Sequence, residues 1–183
     1  MKRKSVHYLA ECGVIAALYC VLNLILMPMA FGPVQVRVSE AFTLLPLFTP
    51  AAIPGLTIGC VISNYIGFAS GMPVLPVDII TGSLATLLAA IATRALRNVR
   101  LFPKGSRLAI IPAVPPIFFN AVILGLEFTY LELQSFQAAP FWGYFASVGL
   151  GQFVSCMLLG VSLTYVLERT GLAGRLFVSM PSH

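Results

Sequence analysis

Arg37, Glu40, Asp78 and Glu127 carry charge in a chain of which only 9% of the residues are Asp, Glu, Lys or Arg. Each lies beside or within an apolar run. There an ionised side chain costs roughly 2.5 to 3.5 kcal/mol on insertion scales, so it calls for a partner or a task. When the runs are read as helices, Arg37, Glu40 and Asp78 fall at one end of theirs and Glu127 in the matching third of its own. Charges without a shared role would scatter along the spans. These gather at one level, as the lining of a polar cavity open to one side of a membrane would.

Asn120 and Glu127 are seven residues apart, two helical turns, so they share a face that Tyr130 extends. Gln152, with Phe145 and Gly149, forms a second stripe with Trp142 and Tyr144 at its outer end, and Asn64 sits in the middle of another run. Simpler readings stand beside that of a cavity lining. Asp78, just after Pro76, is placed to cap a helix. Arg37 and Glu40, three apart, can pair. Trp142 and Tyr144 fit an interfacial aromatic belt, and Asn64 and Asn120 fit hydrogen bonds between helices. Glu127 has the fewest alternatives, and Glu11, near the other end of the first run, has headgroup water, Lys4 or His7 within reach.

The elements that must carry these residues follow from composition. Of 183 residues, 58% are hydrophobic and the mean hydropathy is +0.94, more oil than a water-soluble domain of this size can hide. A bilayer core of roughly 30 Å takes about 20 apolar residues per helix. Runs and breakers then give six spans in one domain over residues 1–183, near 8–29, 38–49, 52–69, 76–96, 108–131 and 141–167, the second of them short. Pro46, Pro112, Pro115 and Pro116 fall within or close to spans and predict kinks or late starts. The run after Lys2, Arg3 and Lys4 is too long for a signal peptide and ends in no small-residue cleavage pattern, so it is the first span.

Charge tests the topology independently. With both termini cytoplasmic, the inner side collects Lys2, Arg3, Lys4, Arg94, Arg97, Arg100, Lys104, Arg107, Arg169 and Arg175, leaving of the 11 basic residues only Arg37 outside. The net charge of +5 therefore reflects orientation and anionic lipid, not nucleic acid. No phosphate-binding loop, HExxH, GxSxG or metal-spaced cluster occurs, so neither an enzyme nor an ATP-driven motor is expected in this chain, and no cofactor or metal is expected in it. Cys12, Cys20, Cys60 and Cys156 are spaced as packing residues, not as a zinc or redox motif. Gly13 and Ala17, beside Ala16 and Cys20, make a small face for close helix contact, within the bundle or with another subunit.

The segments Val34–Pro46, Thr49–Leu56, Gly82–Ala90 and Asn120–Glu127, in this order, resemble the QueT family of queuosine precursor transporters. That family is similar to the substrate-binding S components of energy-coupling factor (ECF) importers. The resemblance implies an all-α, six-helix membrane subunit of a prokaryotic cell membrane. It would capture a 7-deazaguanine base: queuine or its 7-aminomethyl or 7-cyano precursor. It further implies a transmembrane coupling protein and two cytoplasmic ATPase subunits as partners, with Gly13 and Ala17 at the coupling contact. On the chemistry of such a ligand, Glu127 or Glu40 would accept from the ring N–H and exocyclic amine. Arg37 or Asn120 would meet the ring carbonyl, Phe141, Trp142 or Tyr130 would stack, and Asp78 would balance an aminomethyl cation. The alternative is a proton-coupled carrier of a small vitamin-like solute, with Glu127 or Asp78 holding the proton.

Overall fold

A computed structural model describes residues 2–30, 36–99 and 109–177. Arg100, Lys104 and Arg107 of the inner-side charge set, and Val34 and Gln35 of the first matched segment, lie outside these. All regular structure among the described residues is helical. Five helices are long and apolar enough to cross a membrane: α1 (Lys2–Ile25), α2 (Ala52–Ala69), α3 (Pro76–Ala95, with one more turn to Asn98), α4 (Val114–Leu133, entered through the turn Ile111–Ala113) and α5 (Ala138–Arg169). The chain is a multi-pass membrane protein. Its surface says the same, because Ile25, Ile80 and Leu150 are each at least 65% exposed while Asn64, Glu40 and Asn120 are fully buried. Apolar outside and polar inside is stable only where the solvent is hydrocarbon.

The span expected over 38–49 takes another form. Val38–Leu47 is a ten-residue 3-10 helix with Pro46 inside it. At about 2.0 Å per residue it extends about 20 Å, short of the roughly 30 Å hydrocarbon core. It is nearly all buried, packed against α1, α3 and the middle of α5, so the other helices shield its backbone from lipid. Its carboxyl end is tied down from two sides. Arg94 Nη1 donates to the carbonyls of Pro46 (2.8 Å) and Leu47 (3.3 Å), a cation on the negative end of a helix. Thr49 just beyond donates to Glu11 at 2.7 Å. Glu11 thus fixes an internal joint.

Within α5, Phe153–Gly160 widens into a π-helix. The widened stretch lies against the 3-10 helix, with Gly160 so close that an added Cβ would stand 3.1 Å from the Ala41 carbonyl. The tightest crossing is between α1 and α2. A Cβ on Gly55 would come within 2.8 Å of the Cys12 carbonyl, and one on Gly59 within 2.8 Å of the Ala16 carbonyl. Here GxxxG lets two backbones meet. Gly13 and Ala17 instead face outward, and nothing lies within 4 Å of a Cβ built on Gly13. Gly59→Ala is therefore expected to lower stability by about 1–3 kcal/mol through overpacking. Gly13→Ala, with open space for the added methyl, should instead stabilise by about 0.5–1 kcal/mol through helix propensity. Denaturation of the two variants in mixed micelles checks this, and equal midpoints would contradict the packing just described.

Candidate functional site

The polar interior is built from the amino end of the 3-10 helix. Arg37, just before it, is 3% exposed, and its Nε donates to the Ala30 carbonyl at 3.3 Å. One turn on, Glu40 is fully buried and accepts from the Tyr19 hydroxyl of α1 at 2.5 Å. Below Tyr19 on the same face of α1, Asn23 ties three elements together. Its Nδ2 donates to Ser63 of α2 (3.1 Å) and its Oδ1 accepts from Ser39 of the 3-10 helix (2.7 Å). These bonds fix the rotation of α1 against α2 and hold Glu40 at a set height.

The opposite wall comes from α3 and α4, which pack as antiparallel neighbours. Asp78 Oδ2 accepts from the Leu75 backbone N–H at 2.6 Å, so the helix-capping role predicted for it is real. One turn further, the Thr81 hydroxyl donates to Glu127 Oε2 at 2.6 Å. Each carboxyl is thus held through one oxygen, and the two side chains come within hydrogen-bonding reach of each other. Among the described residues, no N–H or hydroxyl donates to Asp78 Oδ1 or to Glu127 Oε1. Arg37 interacts electrostatically with Glu40, Asp78 and Glu127, which joins the walls into one cluster. Its guanidinium lies near Gly82 of α3, where an added Cβ would be 3.8 Å from Nη1 and 3.0 Å from Asn64 Nδ2. The lack of a side chain at Gly82 makes that approach possible.

Asn64 donates to the Asp78 carbonyl (3.0 Å) and Asn120 to the Pro116 carbonyl (2.9 Å), while the amide oxygen of each is buried and meets no donor among the described residues. Flipping either amide would set oxygen against oxygen, so the assignment is fixed by the network. Gln152, 2% exposed, accepts a weak bond from the Cys156 thiol at 3.4 Å. Cys156 also approaches the Glu40 carbonyl and Thr43, and so carries the π-helix to the site. Cys60 receives the Thr86 hydroxyl at 3.5 Å, and all four cysteines are free and buried.

Of the nine residues predicted to bind a ligand, Arg37, Glu40, Asp78, Glu127 and Asn64 are brought together, and Asn120 and Gln152 are buried on the adjoining helices. Tyr130 and Trp142 differ, being 53% and 60% exposed. Trp142 packs edge-on against Phe141 and Phe145 in an aromatic group at the α4–α5 crossing, where Phe141 lies 3.4 Å from a Cβ built on Gly125. Tyr130, three residues after Glu127, is turned to the outer side of α4. Tyr19, Asn23, Ser39, Ser63 and Thr81 were not anticipated. The spacing of Tyr19 and Asn23, four apart on the same face as Cys12, Ile15 and Ala16, was the available signal.

Buried oxygens without a donor each carry a desolvation penalty of about 1–3 kcal/mol until one meets them. Comparison with known proteins agrees with a transport role. Residues 9–169 match the family described as QueT transporter. The chain is 30% identical over 179 residues to the Queuosine precursor transporter QueT of Lactococcus lactis subsp. cremoris (strain MG1363), an alignment covering 93% of this chain and 96% of that protein. No solved structure matches. An oil-facing exterior, a buried polar cluster around Arg37 and a family match running from α1 to the end of α5 together place this chain in the QueT transporter family.

Proposed function

We propose that the chain is the capture subunit of an ATP-driven importer of the ECF type, and that its ligand is a 7-deazaguanine base, a queuosine precursor. The observation that carries this reading is the cluster of buried acceptors around Arg37. Glu40 keeps one oxygen open while Tyr19 holds the other, so it is suited to the donor edge of a guanine-like ring. Arg37 supplies the complementary cation for a ring carbonyl, and Asn120 and Gln152 stand on the α4 and α5 side of the hollow. Phe141, in the aromatic group with Trp142 and Phe145, provides a ring for stacking, each stack being worth about 1–3 kcal/mol by analogy with nucleobase binding.

In this reading both termini are cytoplasmic, and the 3-10 helix counts as the second of six helical elements, with the carboxyl cluster toward the outside. The distribution of basic residues supports that orientation. Asp78 and Arg94 mark the two ends of α3, sixteen residues or about 24 Å apart, so capture and basic ends are well separated. ATP would be hydrolysed in two partner subunits and transmitted by a transmembrane coupling protein. The outward, unfilled face at Gly13 and Ala17 supports a helix contact there.

Calorimetry of the purified protein against queuine and its 7-aminomethyl and 7-cyano precursors tests the reading, with riboflavin, thiamine and biotin as controls. Saturable binding of a deazaguanine alone is expected, and preference for another vitamin would overturn the substrate. Gly13→Leu should abolish co-purification with the coupling subunit while ligand binding persists; normal recovery of the complex would remove that contact. The adjacency of Asp78 and Glu127 also favours a second reading, proton-coupled transport, in which uptake collapses with an uncoupler although cellular ATP is maintained.

A further inference from the structure

Glu40 is tied down at every polar atom but one. Its backbone N–H donates to the Arg37 carbonyl at 2.9 Å, its own carbonyl accepts from the Thr43 hydroxyl at 2.6 Å, and side-chain Oε1 accepts from the Tyr19 hydroxyl at 2.5 Å. Oε2 is buried, and no donor among the described residues reaches it. The two oxygens of a carboxylate are equivalent until something chooses between them, and here the Tyr19 hydroxyl makes the choice. A bond that served only to join α1 to the 3-10 helix would not need a carboxylate, since an amide or hydroxyl also accepts from a phenol, without the cost of burying a charge. Only a carboxylate offers an acceptor at both positions, so the second position has an acceptor's task of its own.

Tyr19 is itself held. It is fully buried, and Gly59 of α2 lies so close that an added Cβ would stand 3.0 Å from the Tyr19 Cβ. One turn along α1, hydrogen bonds run in a single direction from the 3-10 helix to α2. Ser39 donates to Asn23 Oδ1 (2.7 Å), Asn23 Nδ2 to the Ser63 hydroxyl (3.1 Å), and Ser63 to the Cys60 carbonyl (3.1 Å). The run ends on a backbone carbonyl, which can only accept, so its direction is fixed. With α1 set in rotation against both neighbours, the phenol reaches Glu40 from one side, before any ligand arrives.

We propose that Tyr19 is a positioning residue of the capture site: its hydroxyl occupies Oε1 of Glu40 and so presents Oε2 to the ligand, which favours bases whose edge carries N–H donors. The inference rests on the reading of the Arg37 cluster as a deazaguanine site. It adds a residue that acts on the ligand only through Glu40.

Titration of the full chain in nanodiscs with queuine and its 7-aminomethyl and 7-cyano precursors tests it, in wild type, Tyr19→Phe, Glu40→Gln and the double variant. Tyr19→Phe keeps the ring and removes only the hydroxyl; the carboxyl is then free to turn, and binding should weaken about tenfold. In the Glu40→Gln background the sign should reverse. An amide has one accepting and one donating end, and the Tyr19 hydroxyl claims the accepting end, which turns the amino group toward the N–H donors of the base. Without the hydroxyl the amide can flip, so the double variant should bind at least about threefold more tightly than Glu40→Gln alone. A role in packing alone would weaken both backgrounds by the same factor. Equal losses in the two backgrounds would therefore overturn the proposal, and so would wild-type affinity in Tyr19→Phe. Failure of Tyr19→Phe to fold would make the hydroxyl a tie between helices and overturn it as well. If only the double variant fails to fold, the affinity of Tyr19→Phe decides. No binding of any deazaguanine by folded wild type would instead remove the functional reading beneath it.

Discussion

Arg37→Met is expected to destabilise the folded protein by about 3–5 kcal/mol, the usual result of removing one partner from a buried charge cluster, and to weaken deazaguanine capture by more than about a hundredfold. Three carboxyls, Glu40, Asp78 and Glu127, feel this guanidinium, and its Nε also ties the chain to the Ala30 carbonyl at 3.3 Å. A methionine of similar length fills the volume but leaves the carboxyls facing one another without a cation. Thermal unfolding in detergent and calorimetry read the two effects separately. A variant with the melting temperature and affinity of wild type would show that Arg37 neither organises the cluster nor contacts the ligand.

Glu40→Gln should weaken all 7-deazaguanines alike, by about tenfold to a hundredfold, because a hydrogen bond to a charged acceptor is worth about 1.5–3 kcal/mol. Glutamine keeps the shape and can still accept from Tyr19, so the fold should survive. The change removes only the negative charge and the free choice of acceptor at the second oxygen. The pattern across ligands is the readout. Uniform loss places the ring edge at Glu40, whereas loss confined to the aminomethyl form would place its cation there instead. Unchanged affinity for every ligand would remove Glu40 from the site.

The two changes probe different parts of the same cluster, and the difference between them was only partly legible in the chain. That Arg37, Glu40, Asp78 and Glu127 share one level followed from where each stands in its apolar run. That Asp78 both caps α3 and touches Glu127 did not, since the capping and the ligand readings had looked like alternatives. One carboxyl has two oxygens, and capping occupies only Oδ2. Tyr130 shows the opposite failure. Its spacing from Glu127 suggested a common stripe, yet a helix drifts by 60° over three residues, enough to turn Tyr130 outward. The pairing of Gly55 and Gly59 with Cys12 and Ala16 was equally hidden, because a small-residue face can be matched to its partner only once both helices are placed.

Hydropathy and charge are sums over neighbouring residues, so the sequence by itself determined a helical membrane protein, the limits of α2 and α3 to within a residue, and the small set of ionisable groups that lipid would not tolerate. Rotation and depth of one helix against another depend on packing between residues far apart in the chain, and only the tertiary structure decided these. It shortened the second element into a buried 3-10 helix, set Tyr19 on Glu40 across 21 residues, and left particular oxygens of Glu40, Asp78 and Glu127 open to the interior. Composition can say that a polar group is out of place in oil, but its unpartnered atoms are fixed by directional bonds only a few ångströms long.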